Sequence, residues 1–401
     1  MLFVSVMKVV FPFVLPLFLV ISCCKHDGFE KQSETLPQLR SRVFAVATEQ
    51  MLAMDKNLMD GRLPKTMDSD GLLVTSDISW WGSGFYPGSL WMLYDYGHNN
   101  EIRALAEKYT NSLRPLLGMY TDHDIGFMIN CSFGRAYDAT GDKNWLPVIE
   151  AAAEKLYDRY SPTIGTIKSW DRPGSNWRYP VIIDSMMNLE LLVRAAKQFD
   201  RSEFMDVAVA HSFTTIRNHF RKDYSSYHLV DYDPEDGHVR IRQTVQGYSD
   251  NSAWARGQSW GLYGFTMMYE KTGLPEFLDQ AEAIARYLIR RLPADGVPFY
   301  DYDDPAIPFT NRDASAGAIM ASALLELAIL TKDSLLAARC NAAAVTIIRT
   351  LSSSEFLAEP GTNANFLLKH SVGSKPSNSE VDVPLTYADY YFLEALTRLP
   401  Q

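Results

Sequence analysis

The chain is 401 residues long, 47% hydrophobic, and carries a formal charge of -10. That length permits two average domains or one large helical barrel, and the acidic balance argues against a nucleic-acid binder, whose phosphate contacts need a basic face. An anionic substrate would need cations gathered locally against this background.

At the N terminus Lys8 precedes an apolar run over 9–21. The run is too short to span a bilayer once Pro12 and Pro16 are counted, so residues 1–22 are expected to be a secretory signal. Val20-Ile21-Ser22-Cys23 is similar to a bacterial lipobox, with cleavage before Cys23 and the lipid on Cys23; a plain signal peptide with an incidental cysteine is the alternative. Residues 23–37 are polar and aperiodic and read as a tether. The expected product is lipid-anchored in the cell envelope, facing a periplasm or displayed at the surface, and it meets the membrane through that anchor alone. Beyond Cys23 and Cys24 only Cys131 and Cys340 remain, far apart and inside helical patterns, so neither a disulfide framework nor a metal knuckle is implied.

From residue 38 onward the pattern is helical. A short turn recurs after an amphipathic helix, at 94–97, 137–142, 198–200, 269–273 and 331–334. Most of these turns lead into a second helix with apolar residues at helical spacing, over 145–157, 203–220, 275–292 and 335–351. Turn-to-turn spacings of about 40 to about 70 residues fit a repeat of helix, short turn, helix and long loop. With 38–57 and 385–399 added there are about twelve helices, the number with which six hairpins close on themselves. The predicted fold is an all-α (α/α)6 barrel, a toroid of six helical hairpins, in one domain over 38–401. Strands are scarce, and only 227–232 and 238–244 read as a hairpin. The long loops at 58–84, 161–179, 221–252, 293–313 and 352–384 share one face, and loops of that length are expected where they line a functional site.

Two Asp residues hold equivalent places on that face. Asp122-His123-Asp124 runs into Ile125-Gly126-Phe127, and Ile182-Ile183-Asp184 into Ser185-Met186-Met187, each at the start of the first helix of a pair. A toroid points such helix ends into one funnel, where paired carboxylates can take opposite protonation states. The competing reading, an N-cap or first-turn acid, is accepted for Asp122. Trp80, Trp81, Trp170, Trp177, Trp254 and Trp260 crowd the same loops, as sugar platforms or as core. Arg256 and Trp260 are four apart on one face of a helix start; the guanidinium fork could grip a carboxylate or pair with an Asp such as Asp250. Phosphate-loop, metal-ligand and nucleophile-elbow patterns are missing from the sequence, so no cofactor and no metal are expected.

Five ordered motifs carry a family resemblance. They are Trp81-Gly82-Ser83-Gly84-Phe85-Tyr86-Pro87-Gly88, His123-Asp124-Ile125-Gly126-Phe127, Ile182-Ile183-Asp184 with Asn188-Leu189, Ser226-Tyr227-His228, and Gln246-Gly247 through Arg256-Gly257-Gln258 to Trp260. Together they resemble glycoside hydrolase family 88, the unsaturated glucuronyl hydrolases, across nearly the whole mature chain. The resemblance implies an (α/α)6 barrel with Asp184 as general acid and base and Asp124 beside it. It also implies Trp81, His123, Trp170, His228, Gln246, Arg256 and Trp260 around the subsite for an unsaturated uronic acid. Ser371, Ser374 and Lys375, within His370-Ser371-Val372-Gly373-Ser374-Lys375-Pro376, partly resemble the Ser and Lys cluster with which some members hold sulfate; the spacing departs from that pattern, and a plain polar loop is the other reading. The implied partners are lyase-made glycosaminoglycan oligosaccharides, sulfated ones first, with no nucleic acid and no obligate protein partner. The implied reaction is hydration of the C4 to C5 double bond. Unsaturated rhamnogalacturonyl hydrolases acting on pectin fragments, and a lipid-anchored sugar-binding protein without turnover, are the competing readings.

Overall fold

The short turns end their helices by stepping into left-handed backbone space. In the computed structural model, which describes residues 1–5 and 34–400, His98, Gly141, Asp200 and Gly273 have φ of 51°, 64°, 55° and 72°. Each returns its N–H to the carbonyl four residues back, the usual way a helix is stopped and reversed. Regular structure lies in the unit Leu36–Gln401, distinct from Met1–Thr35. Cys23, the expected signal beyond residue 5 and the tether up to residue 33 lie outside the described residues. Helix α1 (Leu36–Asn57) starts slightly before the expected end of that tether, and no described helix is long and apolar enough to cross a membrane.

The hairpins follow in order. Helix α2 (Phe85–Gly97) pairs with α3 (Asn100–Ser112). Next come α4 (Ile125–Ile129), a π-helical turn (Asn130–Gly134) and α5 (Arg135–Thr140), continuous with one another and packed on α6 (Leu146–Tyr157). The remaining pairs are α7 (Ser185–Phe199) with α8 (Ser202–His219), α9 (Ala255–Thr272) with α10 (Pro275–Arg291), and α11 (Ala314–Leu330) with α12 (Ser334–Leu351). Helix α13 (Thr386–Thr397) closes the ring: inner neighbours touch in the order α2, the composite helix from α4 through the π-helical turn to α5, α7, α9, α11, α13 and back to α2. The architecture is an (α/α)6 barrel. Sequence separates inner from outer helices, since α11 is apolar and buried nearly all round whereas α10 keeps Glu276, Arg290 and Arg291 on a polar face.

The long loops are less irregular than expected. The pair β1 (Leu63–Met67) and β2 (Leu73–Ser76) occupies the first, and β3 (Tyr160–Ser161) pairs with β4 (Thr166–Ile167). Strands β8 (Ser371–Ser374) and β9 (Ser379–Val383) form a hairpin before α13. The expected hairpin exists as β6 (Leu229–Tyr232) and β7 (Val239–Gln243), but β5 (Tyr179–Ile182) adds a third antiparallel strand beside β6. This strand sits at the end of a stretch predicted as loop. Its buried Tyr-Pro-Val-Ile run is too short to show alternation, and its partner lies about fifty residues away, so local pattern could not reveal it.

Candidate active site

All six inner helices begin on the loop face, with Gly84, Asp124, Asp184, Trp254, Asp313 and Leu385 at the N-cap positions. Asp313 behaves as a capping acid, accepting hydrogen bonds from the N–H groups of Ser315 (3.0 Å) and Ala316 (3.3 Å). Asp124 and Asp184 make no such bond. The capping explanation therefore fails for both. Their carboxylates instead line one cavity of about 560 Å³, together with Trp80, Trp81, Trp170, Arg172, Gln246 and Arg256.

Two glycines let the helix starts crowd together. A Cβ on Gly84 would lie 2.3 Å from the Met128 carbonyl oxygen, and one on Gly126 would lie 2.6 Å from Asn188 Cα. With α4 and α7 so close, Asn188 reaches across. Its Oδ1 accepts from the Phe127 N–H (2.7 Å) and its Nδ2 donates to Asp124 Oδ1 (3.2 Å). Behind them His123 sits fully buried, Nδ1 at 2.9 Å from Ser185 Oγ and Nε2 at 3.4 Å from Asp124 Oδ1. Ser185 Oγ is 3.0 Å from Ser169 Oγ, which accepts from the Ile182 N–H at 2.9 Å. This chain of polar groups ties α4, α7 and β5 beneath the two acids.

Asp184 is set beside His228 by the three-stranded sheet, because the Ile183 N–H donates to the His228 carbonyl (3.0 Å) next to the β5–β6 pairing. His228 Nδ1 accepts from the N–H groups of Val245 (3.0 Å) and Gln246 (3.2 Å), so the ring proton belongs on Nε2, 3.7 Å from Asp184 Oδ1. Burial holds the imidazole neutral, with its pKa down at about 3. Asp184 Oδ1 is buried without a hydrogen-bond partner. Burial pushes this carboxyl up to about 6, against the opposing pull of Arg256, of its own backbone N–H and of the Trp260 indole. The indole N–H lies outside hydrogen-bond geometry, near enough only to favour the ionised form. Burial, then the charges of Asp122 and Asp184, raise Asp124 well above the carboxylate range, with Asn188 and Arg159 opposing. The pair thus retains protons where ordinary carboxylates have lost them.

The other expected residues divide into three groups. Trp81, Trp170, Gln246, Arg256 and Ser374 line the cavity. His123, His228 and Trp260 stand behind its wall: Trp260 is fully buried, its ring tilted against Phe127 and edge-on to Tyr391. Of the Ser and Lys cluster, Ser371 is buried in β8, while Lys375 turns away to Thr310 and Asp304 (3.4 Å) over the Tyr300 ring. Arg256 pairs with Asp313 (3.3 Å), not Asp250, and donates to the carbonyls of Val372 and Gly373 (2.7 Å for the latter). It pins β8 to the cavity wall while keeping its charge near Asp184.

Several lining residues were not anticipated. Asp122 accepts from the Asp124 N–H (2.9 Å), as a turn acid does, yet also faces the cavity, and burial raises its pKa. Tyr120, Arg172, Ser377 and Ser379 line it as well. For Arg172 the signal was available, since it follows Trp170 in a loop already marked by its aromatic residues.

A sequence model of Glycosyl Hydrolase Family 88 matches residues 53–297. The chain belongs to this family. It is similar to the unsaturated glucuronyl hydrolase of Formosa agariphila, 41% identical over 321 residues that cover 79% of this chain and 79% of that one. Among solved structures, an unsaturated glucuronyl hydrolase specific for heparin superposes with a TM-score of 0.87 at 44% identity, covering 90% of this chain and 96% of its own. The unsaturated glucuronyl hydrolase of Bacillus sp. GL1, described as responsible for the degradation of glycosaminoglycan, gives a TM-score of 0.84 at 30% identity, covering 92% and 97%. The family members share the barrel, and this chain is a glycoside hydrolase of that family.

Proposed function

We propose that the protein is an unsaturated glucuronyl hydrolase, releasing the 4,5-unsaturated uronic acid from lyase-made glycosaminoglycan oligosaccharides. The observation that carries this reading is the unpaired, buried Asp184 carboxyl, with its pKa near 6, facing the same cavity as Asp124. A lyase-made sugar ends in a vinyl ether whose C4 is nucleophilic. Protonated Asp184 donates its proton to C4, which breaks the double bond and leaves positive charge at C5 and the ring oxygen. Water then adds at C5 and returns a proton to Asp184, and the resulting hemiketal opens to release the next sugar. A group that gives and regains a proton works best with a pKa near the working pH, where Asp184 lies. The Arg256 charge beside it favours a substrate carboxylate on C5, and Trp81 and Trp170 supply ring faces for the sugar.

The test is to follow the ultraviolet absorbance of the double bond in unsaturated chondroitin, heparin and rhamnogalacturonan disaccharides. Loss of absorbance with the first two is expected; turnover of the pectin fragment alone would refute the glucuronyl assignment. We further propose that residues 1–22 are removed and that Cys23 carries lipid, leaving the barrel tethered in the cell envelope, facing the periplasm. The support is the Lys8 and apolar pattern ending at Cys23. Membrane fractionation of the wild type and Cys23→Ala is the check, and unchanged membrane association of the variant would rule the anchor out.

A further inference from the structure

We propose, resting on the activity assigned above, that Arg172 forms an oxyanion subsite at the mouth of the cavity, taking a sulfate ester or a carboxylate carried by a sugar beyond the terminal one. Two cations line this cavity. Arg256 belongs to its floor, 1% exposed, with both terminal nitrogens engaged by Asp313, Val372 and Gly373. Arg172 is exposed, and among the described residues no carboxylate stands within ion-pair distance of it. The adjacent Asp171 is already held by Lys168 and by Arg159 at 3.1 Å.

The Arg172 guanidinium is nevertheless placed. Its Cζ lies 4.4 Å from the ring centre of Trp170 and 5.8 Å from that of Trp177, a packing that orients the planar fork and leaves its N–H groups available. Depth decides which part of the substrate it meets. The reacting double bond must reach Asp184 on the buried floor, so the terminal sugar fills the inner cavity and the following sugars pass outward to the exposed Arg172. Lys375, the other cation expected to hold sulfate, is occupied by Asp304 and Thr310. A bidentate fork with no internal acceptor matches a sulfate or carboxylate in both charge and shape.

Three unsaturated substrates test this on the full chain: a disaccharide sulfated on its second sugar, its unsulfated counterpart, and an unsulfated tetrasaccharide with a carboxylate on its third sugar. Arg172→Gln is expected to raise KM about tenfold or more on a substrate bearing the outer oxyanion. The readout is the ratio of this KM rise to the rise on the unsulfated disaccharide, which also registers the lost packing on Trp170; the ratio should be about tenfold, and Arg172→Lys should recover part of it. A selective effect on the sulfated disaccharide identifies sulfate; one on the tetrasaccharide alone identifies the carboxylate. A KM rise equal on all three, or none on any, overturns the subsite. Calorimetric binding of the same sugars to Asp184→Asn, with and without Arg172→Gln, reads the same ratios without turnover. Absence of turnover by the wild type would thus sink the activity while leaving the subsite to stand or fall by itself.

Discussion

The barrel has a cavity at each end of its inner helices, similar in size and opposite in electrostatic character. The one at the short-turn end, about 490 Å³, is lined by the C-terminal parts of α5, α7 and α9 with Glu326 and Arg398. There Arg194 clasps Asp138 (2.7 and 2.9 Å), Arg398 meets Glu326 (2.8 Å), and Arg135 pairs with Glu394. Glu394 also accepts from Ser322 Oγ (2.6 Å) and Tyr263 OH (3.1 Å). Burial alone would raise this acid, but Arg398 and Arg135 with the two hydroxyls outweigh it, and its pKa falls below the ordinary value. Asp184, half-buried with its Oδ1 shut off from solvent, lacks such partners and moves the other way. Burial makes a large shift available, and the partners decide its sign. Asp389 shows the limit of the argument: burial raises it to about 7, yet its two oxygens accept from the N–H groups of Leu367 and Leu368 at 2.9 Å, and its task is to hold a loop. A shifted carboxyl marks chemistry only when an oxygen is left facing a cavity.

The sharpest way to break this comparison is to neutralise one acid at each end. Asp184→Asn should lower kcat by on the order of 10³-fold with little change in thermal midpoint, because it removes the proposed proton donor and no internal bond. Glu394→Gln should do the reverse, leaving kcat of the folded protein intact while costing about 3 kcal/mol, since Arg135 and Arg398 lose a buried counter-charge. Steady-state kinetics and denaturant unfolding on both variants read the two effects. Instability in the first with turnover retained would dissolve the distinction between the ends.

Protonation gives a second test. The proposed donation needs the acid form of Asp184, and a raised pKa keeps that form further up the pH scale, so the limb is expected on the alkaline side. Above about pH 6, kcat should fall about tenfold per pH unit. Burial and the charges of Asp122 and Asp184 hold Asp124 protonated, so Asp124→Asn replaces a neutral carboxyl and should reduce the rate while leaving that limb in place. A limb displaced to lower pH would show instead that Asp124 carries charge while Asp184 titrates. Smaller again is the effect of Gly126→Ala, whose new methyl must displace Asn188 from Asp124. About 1–3 kcal/mol of stability should be lost through overpacking, with kcat reduced on the order of 10²-fold by misplacement of the acids.

Much of this arrangement was legible because it is periodic. Turn residues such as Gly141 and Gly273 punctuate amphipathic helices, and a repeated hairpin puts Asp124 and Asp184 at equivalent N-termini before any coordinate is known. Depth was not legible. Trp260 and Arg256 share a helix face at sequence level, yet one is buried core and the other lies in the cavity wall, a difference set by what α13 and β8 bring against them. The missing third strand and the outward turn of Lys375 share this cause, since each depends on a partner far away in sequence. Arg172 is a different case: the aromatic loop around it marks its place at the site, while its lack of an acidic partner is settled only by the fold.

Gln246 separates contact with the substrate from support of the wall, with the smallest effect. Its Nε2 donates to the Gly373 carbonyl at 3.0 Å, the same oxygen that Arg256 Nη2 reaches at 2.7 Å. Gln246→Ala therefore removes one of the two bonds to that carbonyl and leaves the stronger, charge-assisted one in place, along with the Arg256 bond to Val372. The loss should be about 1 kcal/mol or less, seen as a KM rise of roughly fivefold with kcat unaltered. Because the support acts through β8, the increase should be alike for every substrate that fills the terminal position. If KM instead rose by a hundredfold, or fell selectively on one sugar, Gln246 would be touching the substrate itself. The wall and the recognition surface would then be the same residue.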